Sequence, residues 1–243
     1  MLWYLCLEPY EERYTMQLSG PGGWFERACN RHGIEFTAIR PRVDAPAEVK
    51  TGIVLDAHGR CLWALAQCSA FVELMRAGAV KDGDVIYIED MMHPGCDCIP
   101  YIAALQGLRV RTFSRCFAQS VDPHDFTFPM RGWMRHYERG HAAWQEAIFV
   151  ASQCHVDMMN GGGVGGRVVC TGQPFDEEEV RGRTPKIPMQ KEKLVVFPCR
   201  WDWEKQPWFF LEVARWVHRA DPHIQFIACT SRPESSVPSQ RVR

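Results

Sequence analysis

The sequence predicts a doubly wound α/β protein: a parallel-sheet, Rossmann-like domain over residues 1–172, followed by the first βαβ unit of a second one. Three observations carry this. Short apolar runs rich in β-branched and aromatic residues alternate with longer helical patterns along most of the 243 residues. A charged stretch holding three prolines, 173–193, interrupts the alternation, which then resumes. A composition of 46% hydrophobic and 23% charged residues provides for a large buried core.

In chain order, "LWYLCL" (2–7) reads as the first strand and "GWFERACNRH" (23–32) as a helix. "EFTAIR" (35–40) and "TGIVLDA" (51–57) read as strands, "CLWALAQCSAFVELMRAG" (61–78) as a long helix, and "DVIYIED" (84–90) as the next strand. Helix 99–108, strand "RVRTFSR" (109–115), a Trp- and Arg-rich helix near 131–146, strand "EAIFVASQ" (146–153) and strand "RVVCTG" (167–172) complete the first domain. The glycine run 160–166 reads as a flexible loop, and 173–193 as a linker. Strand 194–199, helix 206–219 and strand 224–231 open the second domain, which one βαβ unit cannot complete, so it is expected to be truncated. The polar tail 232–243 is expected to be disordered.

A formal net charge of −1 gives no global attraction to phosphate or anionic lipid, so any contact with nucleic acid must be local. The apolar run before Glu8 is too short for a signal sequence or a membrane span, which places the chain in the cytoplasm with no membrane span. Eleven scattered cysteines suit reduced thiols. "HPGCDC" could begin a zinc site at His93, Cys96 and Cys98, but no second pair closes a tetrahedron, and no metal is predicted.

Ligands in parallel sheets lie beyond the carboxyl ends of strands. Gly20, Gly22 and Gly23 precede a helix there, where backbone can approach a ligand and the helix N-terminus favours an anion or hydroxyl; a plain tight turn is the other reading. Glu89, Asp90 and His93 follow one strand, and Gln119, Asp122, His124 and Asp125 follow another. A carboxylate that orients a histidine supports acid/base chemistry or hydroxyl binding, while Asp-Pro is equally ordinary turn chemistry. In "VVFPCRWDWEKQPW" the cations Arg200 and Lys205 flank a short strand-to-helix turn. A guanidinium fork and an ammonium there suit a diphosphate; a solvated turn is the alternative. In the helix "MRGWMRHYERGHAAW", packing of Trp133, Tyr137 and Trp144 competes with a role as stacking platforms for bases.

Several of these segments resemble the GT-B glycosyltransferases, specifically the retaining family 4-like group. "PGGWFERACNRHGIEFTAI" is similar to its N-terminal glycine segment, and "AIFVASQ" with "VVCTGQPFD" to the end of its acceptor domain. "VVFPCRWDWEKQPWFFLEVAR" is similar to the start of its donor domain, most of all in the queuosine-tRNA mannosyltransferase branch. The resemblance implies transfer of a sugar, with retention, from a nucleotide-sugar to an acceptor hydroxyl, with a modified nucleic-acid base among the acceptors it allows. It assigns the donor diphosphate to Arg200 and Lys205 and places Gly22, Gly23, Asp90, His93, Asp122 and Asp125 around the acceptor cleft; the residue chemistry then gives acceptor binding to Gly22, Gly23, Asp90 and His124, and catalysis to His93, Asp122 and Asp125. No cofactor beyond the nucleotide-sugar and no tightly held metal is implied. The family's later acidic E-x7-E segment is absent, so either the chain is minimal or truncated, or a partner subunit or oligomer completes the donor site. The alternative is a non-catalytic binding module. A dinucleotide protein is disfavoured, because no GxGxxG follows the first strand.

Overall fold

The computed structural model describes residues 1–7, 18–41, 57–183, 192–199, 201 and 205–229. It divides into two compact units, Met1–Ala47 with Ala57–Arg181, and a smaller one that includes Gly182–Arg243.

The first unit is built on six parallel strands in the order β2-β1-β3-β4-β5-β6. They are β1 (Leu2–Leu5), β2 (Phe36–Ile39), β3 (Val85–Ile88), β4 (Arg111–Arg115), β5 (Ala147–Val150) and β6 (Val168–Cys170). The helices are α1 (Trp24–Arg31), α2 (Ala57–Arg76), α3 (Cys98–Gln106), α4 (Arg131–Trp144), α5 (Gln153–Gly161) and α6 (Glu177–Arg183), with a 3-10 turn at Phe128–Met130.

Parallel crossovers are right-handed, so the direction of each step decides which face its helix covers. The step from β1 to β2 runs one way and those from β2 through β6 run the other. Accordingly α1 lies on one face and α2 to α5 on the opposite one. Side chains alternate between the faces with period two. Trp3, Leu5, Ile86 and Ile88 point into the larger core with Phe71 and Met75 of α2 and Ile99 and Ala103 of α3. The same face continues through Ile148 and Val150 to Val156 and Met159 of α5. Tyr4, Tyr87, Phe113 and Phe149 form an aromatic row on the other face, where Phe25 of α1 stands 4.9 Å from Tyr4 and 5.4 Å from Tyr87 between ring centroids.

The predicted strands and helices recur with boundaries trimmed by one to three residues at most ends. Residues 51–56 of the predicted strand 51–57 lie outside the described residues, and Ala57 opens α2 instead. The supposed linker 173–193 is corrected at its start. Asp176 is buried and receives Arg27 Nη2 at 2.5 Å, and the charged run after it forms α6, with an Arg181–Glu177 pair one turn apart. The glycine run 160–166 is a built turn. Arg135 and Arg139 donate to the carbonyls of Gly162 and Gly163, and Val164 is buried. Among the three aromatics of α4, Tyr137 and Trp144 pack, but Trp133 is 58% exposed.

The second unit pairs β7 (Leu194–Phe197) with β8 (Gln225–Ala228) in parallel through α7 (Pro207–Ala220). Phe210 of α7 packs on Phe197 at 4.9 Å and Phe226 at 5.7 Å, and Trp201 is buried beside Phe197. Pro207 occupies the first turn of α7, where its missing N–H costs nothing. Gln206 before it has φ 51°, a left-handed conformation that a residue with a Cβ adopts at some strain.

Candidate functional site at the carboxyl edge of the sheet

The strand order reverses direction at β1, and in parallel α/β sheets ligands bind at such a switch point, beyond the carboxyl ends of the strands. The first residues past β3 and β4 define the site's chemistry. Because Ile88 is in register with Ser114, the next residues, Glu89 and Arg115, are cross-strand neighbours on the face of Tyr4, Tyr87 and Phe113.

Glu89 is fully buried. Its backbone N–H extends the ladder to Leu5 O at 3.0 Å, and Tyr4 Oη donates to Oε2. Among the described residues Oε1 has no hydrogen-bond partner. Burial pushes its carboxyl up to about 7, against the opposing pull of the Tyr4 hydroxyl and the Arg115 guanidinium. Arg115 is 3% exposed; its Nη2 donates to Gly172 O, and its guanidinium carbon lies 5.3 Å from the centre of the Phe117 ring. Arg115 Nε and, four residues on, the buried Gln119 Oε1 also lack partners among the described residues. Polar atoms with no partner are rare in a folded interior and call for an explanation. Three of them, one donor, one amide acceptor and one carboxyl oxygen, belong to residues at or just past the ends of adjacent strands.

Next to Glu89, Asp90 is buried and bonded to Arg60 Nη2 of α2 and to the Met92 N–H at 3.0 Å. His93 is brought to the same loop but is closed off from solvent. Its Nε2 meets Gln67 Oε1 at 2.6 Å, and since the Gln67 amide N–H donates to Ile39 O, that oxygen requires the imidazole proton on Nε2. Burial lowers His93 to about 4, so it is neutral at physiological pH and fastens the loop to α2.

The other predicted residues serve local turns. Asp122 Oδ1 accepts the His124 N–H at 2.9 Å, with His124 itself exposed, and Asp125 Oδ1 accepts both the N–H and the hydroxyl of Thr127 at 2.8 Å. Gly22 takes φ 69°, and Gly23 is the N-cap of α1. Glu26 reaches back to accept the Gly22 N–H at 2.7 Å, which satisfies a free donor of that helix end from within the chain. Lys205 belongs to the second unit and is exposed, and Arg200 lies outside the described residues.

The structure thus brings Asp90 and His93 together with Glu89, and adds Tyr4, Arg60 and Arg115, which the sequence reading missed. Arg115 carried a usable signal: "RTFSR" is an apolar-faced strand ending in Arg, the same pattern that singled out Arg200. Tyr4 and Arg60 had none, because their roles depend on partners 85 and 30 residues away.

Chemically, a buried carboxyl that titrates near neutrality can give or take a proton, and the neighbouring unpaired donor and acceptor suit a ligand hydroxyl. Among the described residues, no three His, Cys, Asp or Glu side chains gather to hold a metal, and no helix is long and apolar enough to cross a membrane. No model of a known protein family matches the chain, and no characterised protein is significantly similar to it in sequence.

Proposed function

We propose that the chain is a glycosyltransferase of GT-B type whose first unit binds the acceptor hydroxyl at Glu89, Arg115 and Gln119. The observation that carries this reading is the set of three unpaired buried polar atoms at the carboxyl edge of the sheet. A hydroxyl accepts from Arg115 Nε and donates to Gln119 Oε1, while Glu89 is suited to receive its proton as the new bond forms. The donor diphosphate falls to Arg200 and Lys205, whose fixed charge offsets the charge that develops on the leaving group. The parallel sheet of the first unit and the parallel pairing of β7 with β8 through α7 support the reading.

The test is binding of nucleoside diphosphates and nucleotide-sugars by calorimetry, with release of nucleoside diphosphate as the readout of turnover. Arg200→Ala and Lys205→Ala should each lower diphosphate affinity by roughly tenfold or more, from loss of a charge-assisted contact, with an unchanged melting temperature. Binding that is equal in wild type and both variants would refute the donor assignment.

A second reading, a non-catalytic module that acts with a partner, is favoured by the exposure of the apolar Val195, Val196 and Ile227 on β7 and β8. Turnover by the purified chain alone separates the two.

A further inference from the structure

We propose that the outer face of α7 is a self-association surface, against which α7 of a second copy of this chain packs in antiparallel orientation about a two-fold axis.

One side of α7 is already used: Phe210 packs on Phe197 and Phe226, and Pro207 and Ala214 are buried. The other side carries large apolar groups that a solvated helix face normally lacks. Phe209 is 64% exposed, Val213 36% and Trp216 73%, and Ala220 after them is exposed as well. Their spacing of four, three and four residues sets them in one line along the helix, the seam that one helix presents to another in left-handed pairing. Glu212 and Arg219, both exposed, flank that line on the same side, about two turns apart.

The second copy is the occupant because the pattern complements itself. An antiparallel pair that sets Val213 opposite Trp216 of the second copy also sets Phe209 opposite its Ala220, since the two pairs of positions share a midpoint. Each ring then meets a smaller side chain, the alternation that lets two surfaces interdigitate. In the same register Glu212 lies beside Arg219 of the second copy, and Arg219 beside that copy's Glu212. A parallel pair would instead set Phe209 on Phe209 and Trp216 on Trp216. A formal net charge of −1 leaves little long-range repulsion between copies. With about 150–250 Å² per aromatic side chain, Phe209 and Trp216 of the two copies supply roughly 400–700 Å² at their exposures. Val213, Ala220 and the stems of Glu212 and Arg219 bring the pair toward the lower bound of about 1,200 Å² for specific interfaces, which corresponds to a weak dimer.

The experiment is sedimentation equilibrium of the full-length chain from about 1 to 200 μM, the range in which an interface of this size dissociates. A reducing agent is present throughout, because Cys154 and Cys229 are exposed and could link copies covalently. The wild type should show a reversible monomer–dimer equilibrium. Phe209→Ser and Trp216→Ser should each raise the dissociation constant at least about tenfold, since a two-fold pair loses the ring twice, and both should leave the fold unchanged because the rings are exposed. Glu212→Arg and Arg219→Glu should each weaken the dimer about threefold or more, and the double variant, which restores opposite charges across the axis, should recover most of that loss. Three results would overturn the proposal. One is a monomer at every concentration, including a monomer that sediments with phosphatidylcholine vesicles through Trp216 and so docks on lipid instead. Another is a dimer indifferent to Phe209→Ser and Trp216→Ser, and the third is a double variant weaker than either single one.

Discussion

Replacing Glu89 by Gln should make folding stability less sensitive to pH, and the structure sets both sign and size. In the folded state Glu89 keeps its proton up to about 7, because burial outweighs the help of Tyr4 and Arg115. In the unfolded chain the carboxyl ionises near its ordinary value of 4.5. Between those two values the folded state holds the extra proton, so wild-type stability falls as pH rises and then levels off above about 7. The interval corresponds to about 3 kcal/mol, on the order of the whole penalty for keeping this carboxyl buried and ionised. Gln is nearly isosteric, can accept the Tyr4 hydroxyl and cannot ionise. At pH 4.5 Glu89→Gln should cost no more than about 1 kcal/mol, the worth of an altered hydrogen bond. The variant should then gain about 3 kcal/mol relative to wild type by pH 7.5. Tryptophans lie in both units, so fluorescence would mix them; hydrogen exchange of β1 and β3 amides, corrected for intrinsic rates, reads the first unit alone. Parallel stability curves for the two proteins would refute the reasoning. A variant that loses ground as pH rises would show instead that Arg115 holds Glu89 as a stabilised ion.

The turn after α5 offers a matched pair of glycines. Gly166 has φ 72° and an added Cβ would stand 2.8 Å from Ala142 O, whereas Gly165 has φ 83° with open space around it. Gly165→Ala should cost about 1 kcal/mol of backbone strain and Gly166→Ala clearly more, about 2–3 kcal/mol, by urea unfolding; equal costs would mean that the turn yields freely. Phe71, fully buried with its ring 5.9 Å from Trp3, should cost about 3–5 kcal/mol when replaced by Ala, read as a lower urea midpoint with an unchanged slope.

The alternation of strand and helix was legible because the two periodicities leave different apolar patterns, and all six of the first unit's strands were placed within three residues by that signal alone. β4 was found only as a plain strand: the role of its terminal Arg115 rests on Glu89, 26 residues earlier, and on Gly172, 57 residues later. Of the strand expected at 51–57, only Ala57 lies among the described residues, and it opens α2. Composition reports the average of a segment, so within 173–193 it gave no sign of α6 or of the buried Asp176, whose partner Arg27 lies 149 residues earlier. His93 illustrates the same limit inside the site. A histidine after a strand is read as a candidate base, and only the structure shows it buried, which keeps it neutral, and fastened to Gln67 through Nε2.

The position of β1 inside the sheet, between β2 and β3, bears on how the protein is made. Its partners arrive at very different times: β2 is synthesised some thirty residues after it, and β3 about eighty residues after it. At roughly 5–20 residues per second, the ribosome leaves one side of β1 without its neighbour for about 4–16 seconds. For that interval Trp3, Tyr4 and Leu5, which end with almost no exposed surface, have no finished core to enter. The nascent chain is therefore most vulnerable to edge pairing and aggregation before residue 88 has cleared the exit tunnel, and a holding chaperone would matter most in that window.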